Sequence, residues 1–211
     1  IGFMGHGFEG MYDMNSDPTL FSAHFDMHVE HIAIDELERM VNSVNSAELE
    51  NKVKEIENSF EFPDPGADPI ATKVEREDLE WPAKVAVGME KLILEYKLNG
   101  LAYFYRGNDN LNERLHSGMI IGNSMLTSQG IAIAGELDVK NCVAMMIMDG
   151  FRVGGSFAEI HPIDFREDFV LVGHDGPHHI EIADGKPVLR KLSVLHGKKG
   201  SGASVEFKLK V

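Results

Sequence analysis

Three side chains in the second half of the chain have the residue types and spacing of a metal-dependent site. Glu136, Glu159 and His174 lie in the segments GELDVKN, GSFAEIHP and VGHDGPHH, on three consecutive predicted elements. Carboxylates suit hard divalent ions such as Mg²⁺ and Mn²⁺, and an imidazole shifts the preference towards transition metals. The pattern predicts a divalent-metal site with positions left open for a substrate.

Each of these residues also has an ordinary structural interpretation, which the pattern alone leaves open. A carboxylate within the apolar run SFAEI is costly unless Glu159 is paired, metal-bound or turned outwards. Glu136 is equally compatible with a solvent-facing position on a helix. The histidine cluster in HDGPHH favours a ligand at His174, which ends an apolar strand. His178 and His179 alternate across the next predicted strand, so at most one faces His174.

The composition is that of a globular protein with a sizeable core. Of the 211 residues, 43% are hydrophobic and 26% are charged, which are ordinary values for folded domains. The only cysteine, Cys142, lies in the apolar run CVAMMIM, which predicts a buried, inert thiol and excludes an internal disulfide. No run is long enough to span a membrane and no signal peptide opens the chain, so we expect a cytoplasmic protein with no membrane partner.

Acidic residues are concentrated near the start of the chain. The formal net charge is −14, and residues 1–70 hold 3 basic and 15 acidic side chains. Such an excess of negative charge makes nucleic acid and anionic membranes poor partners. We interpret the acidic segment as a solvated surface.

The first half of the chain alternates predicted strands and helices, which favours an α/β fold with a parallel sheet. Helix starts are indicated at Asp17-Pro18 and by capping-box pairs that begin at Asp35 and Asn45. A further helix is predicted after Pro82, ending at Asn99-Gly100. The predicted strands are Ile1–Met4, His28–Ile34 and Leu101–Tyr105.

The segment GHGFEG over residues 5–10 matches the dinucleotide fingerprint G-x-G-x-x-G, and Glu30 follows about twenty residues later. Binding of a pyrophosphate needs a helix that begins inside the loop. Turn formers delay the next predicted helix until Pro18, and Glu9 adds a negative charge near the phosphates. We therefore predict a plain glycine loop at a strand end, with no residues that bind an organic cofactor.

The pattern changes in the last third of the chain. An apolar stretch over Thr127–Asp149 predicts one helix, with Gly130 and Gly135 as its weak points. Five strand-like runs separated by turn signals then indicate an all-β unit. These runs are SFAEIHPI, DFVLVGH, HHIEIA, PVLRKLSVLH and ASVEFKLKV.

The change in pattern predicts two domains. An α/β domain is expected over residues 1–128, and residues 129–211 are expected to form a connecting helix and the start of an antiparallel β-barrel-like domain. Glu136 precedes the β region, whereas Glu159 and His174 lie inside it. A site that uses all three residues would lie at the junction, which is a common place for pockets.

Three long segments resemble the L-fucose/L-arabinose isomerase family, in its broader sugar-isomerase-like branch. They are GHGFEGMYDMNSDPT, AGELDVKNCVAMMIMD and SFAEIHPIDFREDFVLVGHDGPHHI, and the resemblance covers nearly the whole chain. It implies a Rossmann-like domain followed by a β-barrel-like domain. It also implies Mn²⁺, or another divalent metal, bound by Glu136, Glu159 and His174. The two glutamates would be the catalytic residues in the interconversion of an aldose and a ketose through an enediol.

The resemblance carries further expectations. The substrate would be an L-arabinose- or L-fucose-type sugar, and the protein would be a homo-oligomer, either a trimer or a hexamer. Members of that family are longer at both ends, so we expect this chain to be a fragment that holds most metal ligands without a complete active site. Two other functions stay open: a non-catalytic sugar-binding module and a dinucleotide-dependent oxidoreductase.

Overall fold

The computed structural model describes residues 1–64, 73–106, 111–174, 176–192, 194–195, 198–199 and 202–208. The helices are α1 (Pro18–Phe25), α2 (Ile34–Asn42), α3 (Ser46–Ser59), α4 (Arg76–Glu95), α5 (Leu111–Ser128) and α6 (Val139–Gly150). The strands are β1 (Gly2–Gly5), β2 (Glu30–Ile32), β3 (Gly100–Phe104), β4 (Ala132–Ala134), β5 (Glu159–Asp164), β6 (Phe169–Gly173), β7 (Val188–Lys191), β8 (Val194–Leu195), β9 (Lys198–Lys199) and β10 (Ala203–Glu206). None of the helices in this part of the chain is both long and apolar enough to cross a membrane.

The first four strands form one parallel sheet in the order β2-β1-β3-β4. Strand β1 lies between β2 and β3, with Gly2 opposite Glu30 on one side and Leu101 on the other. The chain leaves β1 towards one side of the sheet and later returns to its other side, so the carboxyl ends of β1 and β3 flank a topological switch point. The predicted Rossmann-like α/β domain with a parallel sheet is confirmed.

Helices cover both faces of this sheet because successive strand residues point to opposite sides. Phe3 faces a core shared with α1 and α6, whereas Met4 faces a core shared with α2, α4 and α5. Cys142 lies in the first of these cores and is fully buried, and burial raises the pKa of its thiol to about 12. The prediction of a buried, unreactive thiol is confirmed.

Two of the predicted helix starts are confirmed by their caps. The Asp17 carboxylate accepts a hydrogen bond from the backbone N–H of Thr19 at 2.9 Å, directly before α1. Asn45 and Glu48 form the predicted capping box of α3. The capping box predicted at Asp35 is wrong, because the N-cap of α2 is Ala33, two residues earlier, and Asp35 lies in the first turn of the helix.

Helix α4 also begins earlier than predicted. It starts at Arg76 after a capping box formed by Glu75 and Asp78, so Pro82 lies inside the helix rather than at its first position. Pro82 is buried at this point. The helix ends at Glu95, and β3 follows from Gly100 as expected.

The single helix predicted over Thr127–Asp149 is wrong. Helix α5, which the sequence analysis did not predict, ends at Ser128, and Gly130 follows with a left-handed φ of 83°. The chain then forms the buried strand β4 and enters α6, where Asp138 is the N-cap. An apolar run broken by glycines suits a buried strand as well as a helix, so its composition did not separate the two.

The predicted antiparallel region contains β5–β6, β7–β10 and β8–β9 pairs, each a two-stranded sheet. A barrel is not shown among the described residues. The run HHIEIA is not a strand but a 3-10 turn over Ile180–Ile182, and the end of ASVEFKLKV from residue 209 lies outside the described residues. Leu189 of β7 and Ala203 of β10 pack in a core with α3, α4 and α5. The division into residues 1–128 and 129–211 stays a prediction.

We predict that the close crossing of α4 and α5 makes Gly122 intolerant of a methyl group. A Cβ at Gly122 would lie 2.8 Å from both Cα and Cβ of Ala86. Overpacking of this kind costs about 1–3 kcal/mol, which exceeds the gain of about 0.5–1 kcal/mol from replacing a helical glycine by alanine. Urea denaturation should therefore show that Gly122→Ala lowers the free energy of unfolding.

The matched control is Gly150→Ala at the end of α6, where a new Cβ meets nothing within 4 Å. This variant should be as stable as the unsubstituted protein or slightly more stable. Equal stability of the two variants would contradict the assigned packing of α4 on α5.

Candidate active site and metal centre

The turn that follows β4 positions Glu136. Glu136 and Leu137 both have a left-handed backbone, with φ of 57° and 59°, a conformation that costs a residue other than glycine about 1–3 kcal/mol. Two backbone hydrogen bonds hold this turn. The N–H of Phe8 donates to the carbonyl of Glu136 at 3.2 Å, and the N–H of Leu137 donates to the carbonyl of Tyr103 at 3.0 Å. Glu136 is therefore fixed to the loop after β1 and to β3.

The first turn of α6 joins the turn of Glu136 to the strand of Glu159. The carboxylate of Asp138 caps the helix by accepting a hydrogen bond from the N–H of Asn141 at 3.0 Å. The side-chain amide of Asn141 donates in turn to the carbonyl of Ala158 at 3.2 Å. Ala158 directly precedes Glu159. The hydrogen bonds of Asn141 to Asp138 and Ala158 therefore link the turn of Glu136 to the start of the strand that carries Glu159.

The β5–β6 hairpin brings Glu159 and His174 together. Glu159 lies opposite Gly173 in the antiparallel ladder, and His174 is the next residue. Nδ1 of His174 lies 3.3 Å from Oε2 of Glu159, and only 13% and 25% of these two side chains are exposed. The buried ring of Phe157 packs edge-on against the imidazole, with ring centres 4.3 Å apart. Both polar groups are thus held on a rigid, largely desolvated surface.

The imidazole of His174 also lies against the turn that carries Glu136. A Cβ at Gly135 would be 3.9 Å from Nε2 of His174. The carboxyl group of Glu159 lies close enough to that of Glu136 for its negative charge to raise the pKa of Glu136. The structure therefore brings together the three residues singled out in the sequence, each from a different element. Their roles as metal ligands and as catalytic groups stay predictions.

The electrostatics of Glu136 follow from this crowding. Burial, and then the charge of Glu159, raise the pKa of Glu136 from 4.5 to about 7, and Asp138 and Asp13 add smaller repulsions. Two charged carboxylates repel each other and neither can donate a hydrogen bond, so the repulsion is relieved when one of them takes up a proton. Near neutral pH the pair therefore favours the binding of a proton or of a cation.

The donor set fits a divalent cation. Oε2 of Glu136 is buried and accepts no hydrogen bond from any described residue. Two mutually repelling carboxylates with one unsatisfied oxygen, next to an imidazole, are suited to Mn²⁺ or a similar ion. Glu136, Glu159 and His174 are the residues that would hold it.

These groups do not stand in a ready-made coordination geometry. Among the residues that the structure describes, no group of three or more His, Cys, Asp or Glu side chains is arranged to hold a metal ion. Nδ1 of His174 and Oε2 of Glu159 contact each other, and both are atoms that would coordinate a metal ion. Binding of a cation would replace this contact, so the side chains must readjust.

The glycine loop adjoins this site but offers no helix end. Residues 5–10 follow β1, and the next α-helix begins only at Pro18. Gly5 has a φ of 98°, and a Cβ there would lie 2.0 Å from the carbonyl oxygen of Phe104, so glycine is required where the strand ends. Glu9 of the loop is paired with Arg106. The prediction of a plain glycine loop without a helix inside it is confirmed.

Sequence analysis missed several polar residues that support the site. Asp138, Asn141 and Ser156 lie inside the segments GELDVKN and GSFAEIHP, but only the N-cap position of Asp138 before α6 gave a local signal for its role. The expectation that at most one of His178 and His179 faces His174 is confirmed. The ring of His178 contacts the carbonyl of His174 at 2.9 Å, whereas a Cβ at Gly154 would lie 3.1 Å from Nε2 of His179.

A cavity of about 420 Å³ opens beside His174. Its walls are mostly apolar, and its polar groups are concentrated on the side of the histidines. The residues that line it include Ser156, Ala158, Val172, His174, His178 and Phe207. The imidazole of His174 therefore separates the carboxylate pair from a space large enough for a small molecule.

The fold and the site define a doubly wound α/β protein with paired carboxylates at the carboxyl edge of its parallel sheet. The central domain of L-arabinose isomerase matches residues 15–153, which is more than half of the chain. The chain therefore belongs to the L-arabinose isomerase family, a family of isomerases. A search of curated proteins found no match. The matched segment contains Glu136, whereas Glu159 and His174 lie beyond it, and the L-fucose part of the resemblance stays an expectation.

We predict that the metal-free protein loses stability as the pH rises from about 4.5 to about 7. Glu136 binds its proton more tightly in the folded state, where its pKa is about 7, than in the unfolded chain, where it is near 4.5. The folded state is therefore favoured by protonation, and this stabilisation disappears as the pH passes the folded pKa. Because Glu136 is only partly buried, we expect a loss of about 1–2 kcal/mol, below the full value that the pKa difference implies.

The measurement is urea denaturation in EDTA at pH 5 and pH 8, with Glu136→Gln for comparison. The glutamine keeps the shape but does not titrate, so the variant should show a smaller fall in stability between the two pH values. Glu80→Gln on the exposed surface of α4 is the control and should behave like the unsubstituted protein. An identical pH dependence in all three proteins would contradict the assigned environment of Glu136.

Proposed function

We propose that the protein is a divalent-metal-dependent aldose–ketose isomerase, acting on an L-arabinose- or L-fucose-type sugar through an enediol. Glu136 and Glu159 are the proposed catalytic residues, and Glu136, Glu159 and His174 are the proposed ligands of Mn²⁺ or another divalent metal. Membership of the L-arabinose isomerase family supports the reaction class. The metal, the residue roles and the sugar are our extension of it.

One observation carries this proposal: two carboxyl groups from separate elements are held so close together, in a partly buried site, that the charge of Glu159 raises the pKa of Glu136. Such a pair is unfavourable unless it shares a proton or a cation, and no stability argument requires it. The left-handed turn at Glu136 adds a further local cost. Strain and repulsion maintained by the surrounding structure are typical of functional sites.

The chemistry of the pair suits proton transfer between adjacent carbons. One carboxylate oxygen removes the proton from the carbon next to the sugar carbonyl, which forms the enediol, and returns it to the neighbouring carbon. The other carboxyl group moves a proton between the two sugar oxygens. Each transfer requires a carboxyl group within hydrogen-bonding distance of the atom it serves. When bound, a divalent cation supplies positive charge that favours the deprotonated sugar oxygens.

His174 and the cavity beside it would place the substrate. The imidazole is held between Glu159 and the Gly135 turn, so it limits how the carboxylates approach a ligand. The mostly apolar walls of the cavity would exclude water from one side of the imidazole when a ligand fills it. Exclusion of water strengthens the electrostatic interactions on which both the pair and a bound cation depend.

We also propose a homo-oligomer, a trimer or a hexamer, and a cytoplasmic location, both as extensions of the sequence analysis. The β5–β6 hairpin supports self-association because it exposes large apolar side chains on a two-stranded sheet. These side chains include Ile160, Ile163, Phe165, Phe169, Leu171 and Val172. Apolar patches of this kind are typical of surfaces that bind another protein.

We predict that Glu159→Gln abolishes isomerisation by the protein and leaves the fold intact. The substitution removes a proposed base and a charged ligand while keeping the side-chain shape, so activity should fall by about three orders of magnitude or more. Glu167→Gln in the exposed turn of the same hairpin is the matched control and should keep full activity. Substantial turnover by Glu159→Gln with Mn²⁺ present would exclude the assigned role.

We predict that Mn²⁺ raises the melting temperature of this chain. At a concentration of about one hundred times the dissociation constant, binding adds about 2.7 kcal/mol, which corresponds to several degrees for a protein of this size. The rise should disappear in His174→Ala. A sugar-binding module would show a rise with sugar and none with Mn²⁺, and a rise with NAD⁺ instead would favour the dinucleotide-dependent oxidoreductase.

A further inference from the structure

The chain that follows His174 is attached to the core through two serines of α5. Ser124 and Ser128 lie one helical turn apart, and each hydroxyl donates to the carbonyl four residues earlier at 2.9 Å. Each hydroxyl then accepts a backbone N–H from the segment beyond the histidine. The N–H of His178 lies 3.2 Å from Ser124 Oγ, and the N–H of Ile180 lies 2.7 Å from Ser128 Oγ.

The spacing of these contacts fixes the register of the segment. Residues 178 and 180 present their N–H groups on the same side of an extended chain, and Ser124 and Ser128 present their hydroxyls on one face of a helix. Ser124 is fully buried, so its side chain has no solvent to replace a lost partner. The backbone at His178 is thus held in one position relative to the core of the α/β domain.

From this fixed position the side chain of His178 reaches back to His174. Nε2 of His178 lies 2.9 Å from the carbonyl oxygen of His174, and because a carbonyl only accepts, Nε2 carries the proton. In the neutral ring Nδ1 is then the acceptor, and Ser156 Oγ donates to it at 2.7 Å. Ser156 Oγ in turn accepts the N–H of His179 at 3.4 Å. One tautomer of His178 is therefore selected.

The ring of His174 is confined in the same region. A Cβ at Gly176 would lie 2.6 Å from Nε2 and 2.7 Å from Cδ2 of His174, so a larger residue would displace the imidazole. The edge-on contact with Phe157 limits the opposite movement. The ring position thus depends on where the backbone of His174 and of Gly176 lies, and His178 contacts the backbone carbonyl of His174.

We propose that His178 is a positioning residue, which acts together with Ser156 to hold His174 in the orientation that meets Glu159 and a bound cation. This inference rests on the proposed function for the role of the cation. It goes beyond that function because it assigns a role to His178. The hydrogen bonds described for the ring of His178 are with His174 and Ser156, and neither of them is with Glu136 or Glu159. Supporting residues of this kind usually affect metal affinity more strongly than global stability.

The first test measures Mn²⁺ affinity from the electron paramagnetic resonance signal of the free ion, for the unsubstituted chain and for His178→Ala. Loss of the contact to His174 should weaken binding about 10- to 100-fold. Ser156→Ala, which leaves His178 without its donor, should weaken it by a smaller factor in the same direction. His178→Gln, whose amide N–H can still donate to the carbonyl of His174, should restore part of the affinity.

The matched control is His179→Ala. Its ring accepts the N–H of Glu181 at 3.2 Å and makes no described contact with His174, so this variant should keep the affinity of the unsubstituted chain within twofold. Equal affinity in His178→Ala, Ser156→Ala and the unsubstituted chain would overturn the inference. If His178→Ala does not fold, the comparison of Ser156→Ala with His179→Ala decides in the same way.

A second readout does not need a metal. In the metal-free chain, the ¹⁵N signals of the His174 ring should shift in His178→Ala and stay in place in His179→Ala, and the ring of His178 should show the tautomer with the proton on Nε2. If the unsubstituted chain binds no Mn²⁺, the metal part of the proposed function fails, and these signals alone judge the positioning role. Unchanged His174 signals in His178→Ala would then refute it.

Discussion

The electrostatic repulsion between the carboxyl groups of Glu136 and Glu159 is the interaction on which the rest of the site depends. Two negative charges in a partly buried place repel each other, and burial makes the repulsion stronger than it would be in water. The chain keeps them together by attaching each to a separate rigid element. Glu136 is held by β3 and the loop after β1, and Glu159 by the β5–β6 hairpin.

The cost of this arrangement is distributed over the backbone around it. The left-handed pair at Glu136 and Leu137 is stable only because both of its neighbouring peptide groups are hydrogen-bonded to other elements. The amide of Asn141 then carries the constraint from α6 to the start of β5. The backbone segments that carry Glu136 and Glu159 are therefore held in place by groups outside the donor set, so that cation binding requires the side chains to readjust and leaves the backbone where it is.

The sequence allowed the prediction of features that depend on neighbouring residues. Asp17 and Asn45 were recognisable as caps because their partners lie two or three residues away. The start of α4 was predicted too late, because the helix was expected to follow Pro82, whereas the capping box that starts it lies upstream at Glu75. The helix predicted over Thr127–Asp149 failed for a related reason, since a short buried strand between glycines has the same apolar composition as a helix.

The sequence allowed us to predict which residues form the candidate site, but it did not allow us to predict the contacts that support them. The three candidate residues were found from their chemistry and from a family resemblance, and the structure brings them together. The bonds from Ser124 and Ser128 to residues 178 and 180 join positions more than fifty residues apart. Neither serine has a local pattern that distinguishes it from any other helical serine, so only the packing of α5 reveals its partner.

Helix α5 contacts both the strand that precedes Glu136 and the segment that follows His174. On one side it packs with β4, from whose end Glu136 projects, and on another it holds the segment that places His174. A shift of α5 relative to the sheet would therefore move the imidazole with respect to Glu136. The close approach of Gly122 to Ala86 limits such a shift, because two helices in backbone contact have no side chains between them to rearrange. The tight packing of a region far from the carboxylates thus contributes to the precision with which they face the histidine.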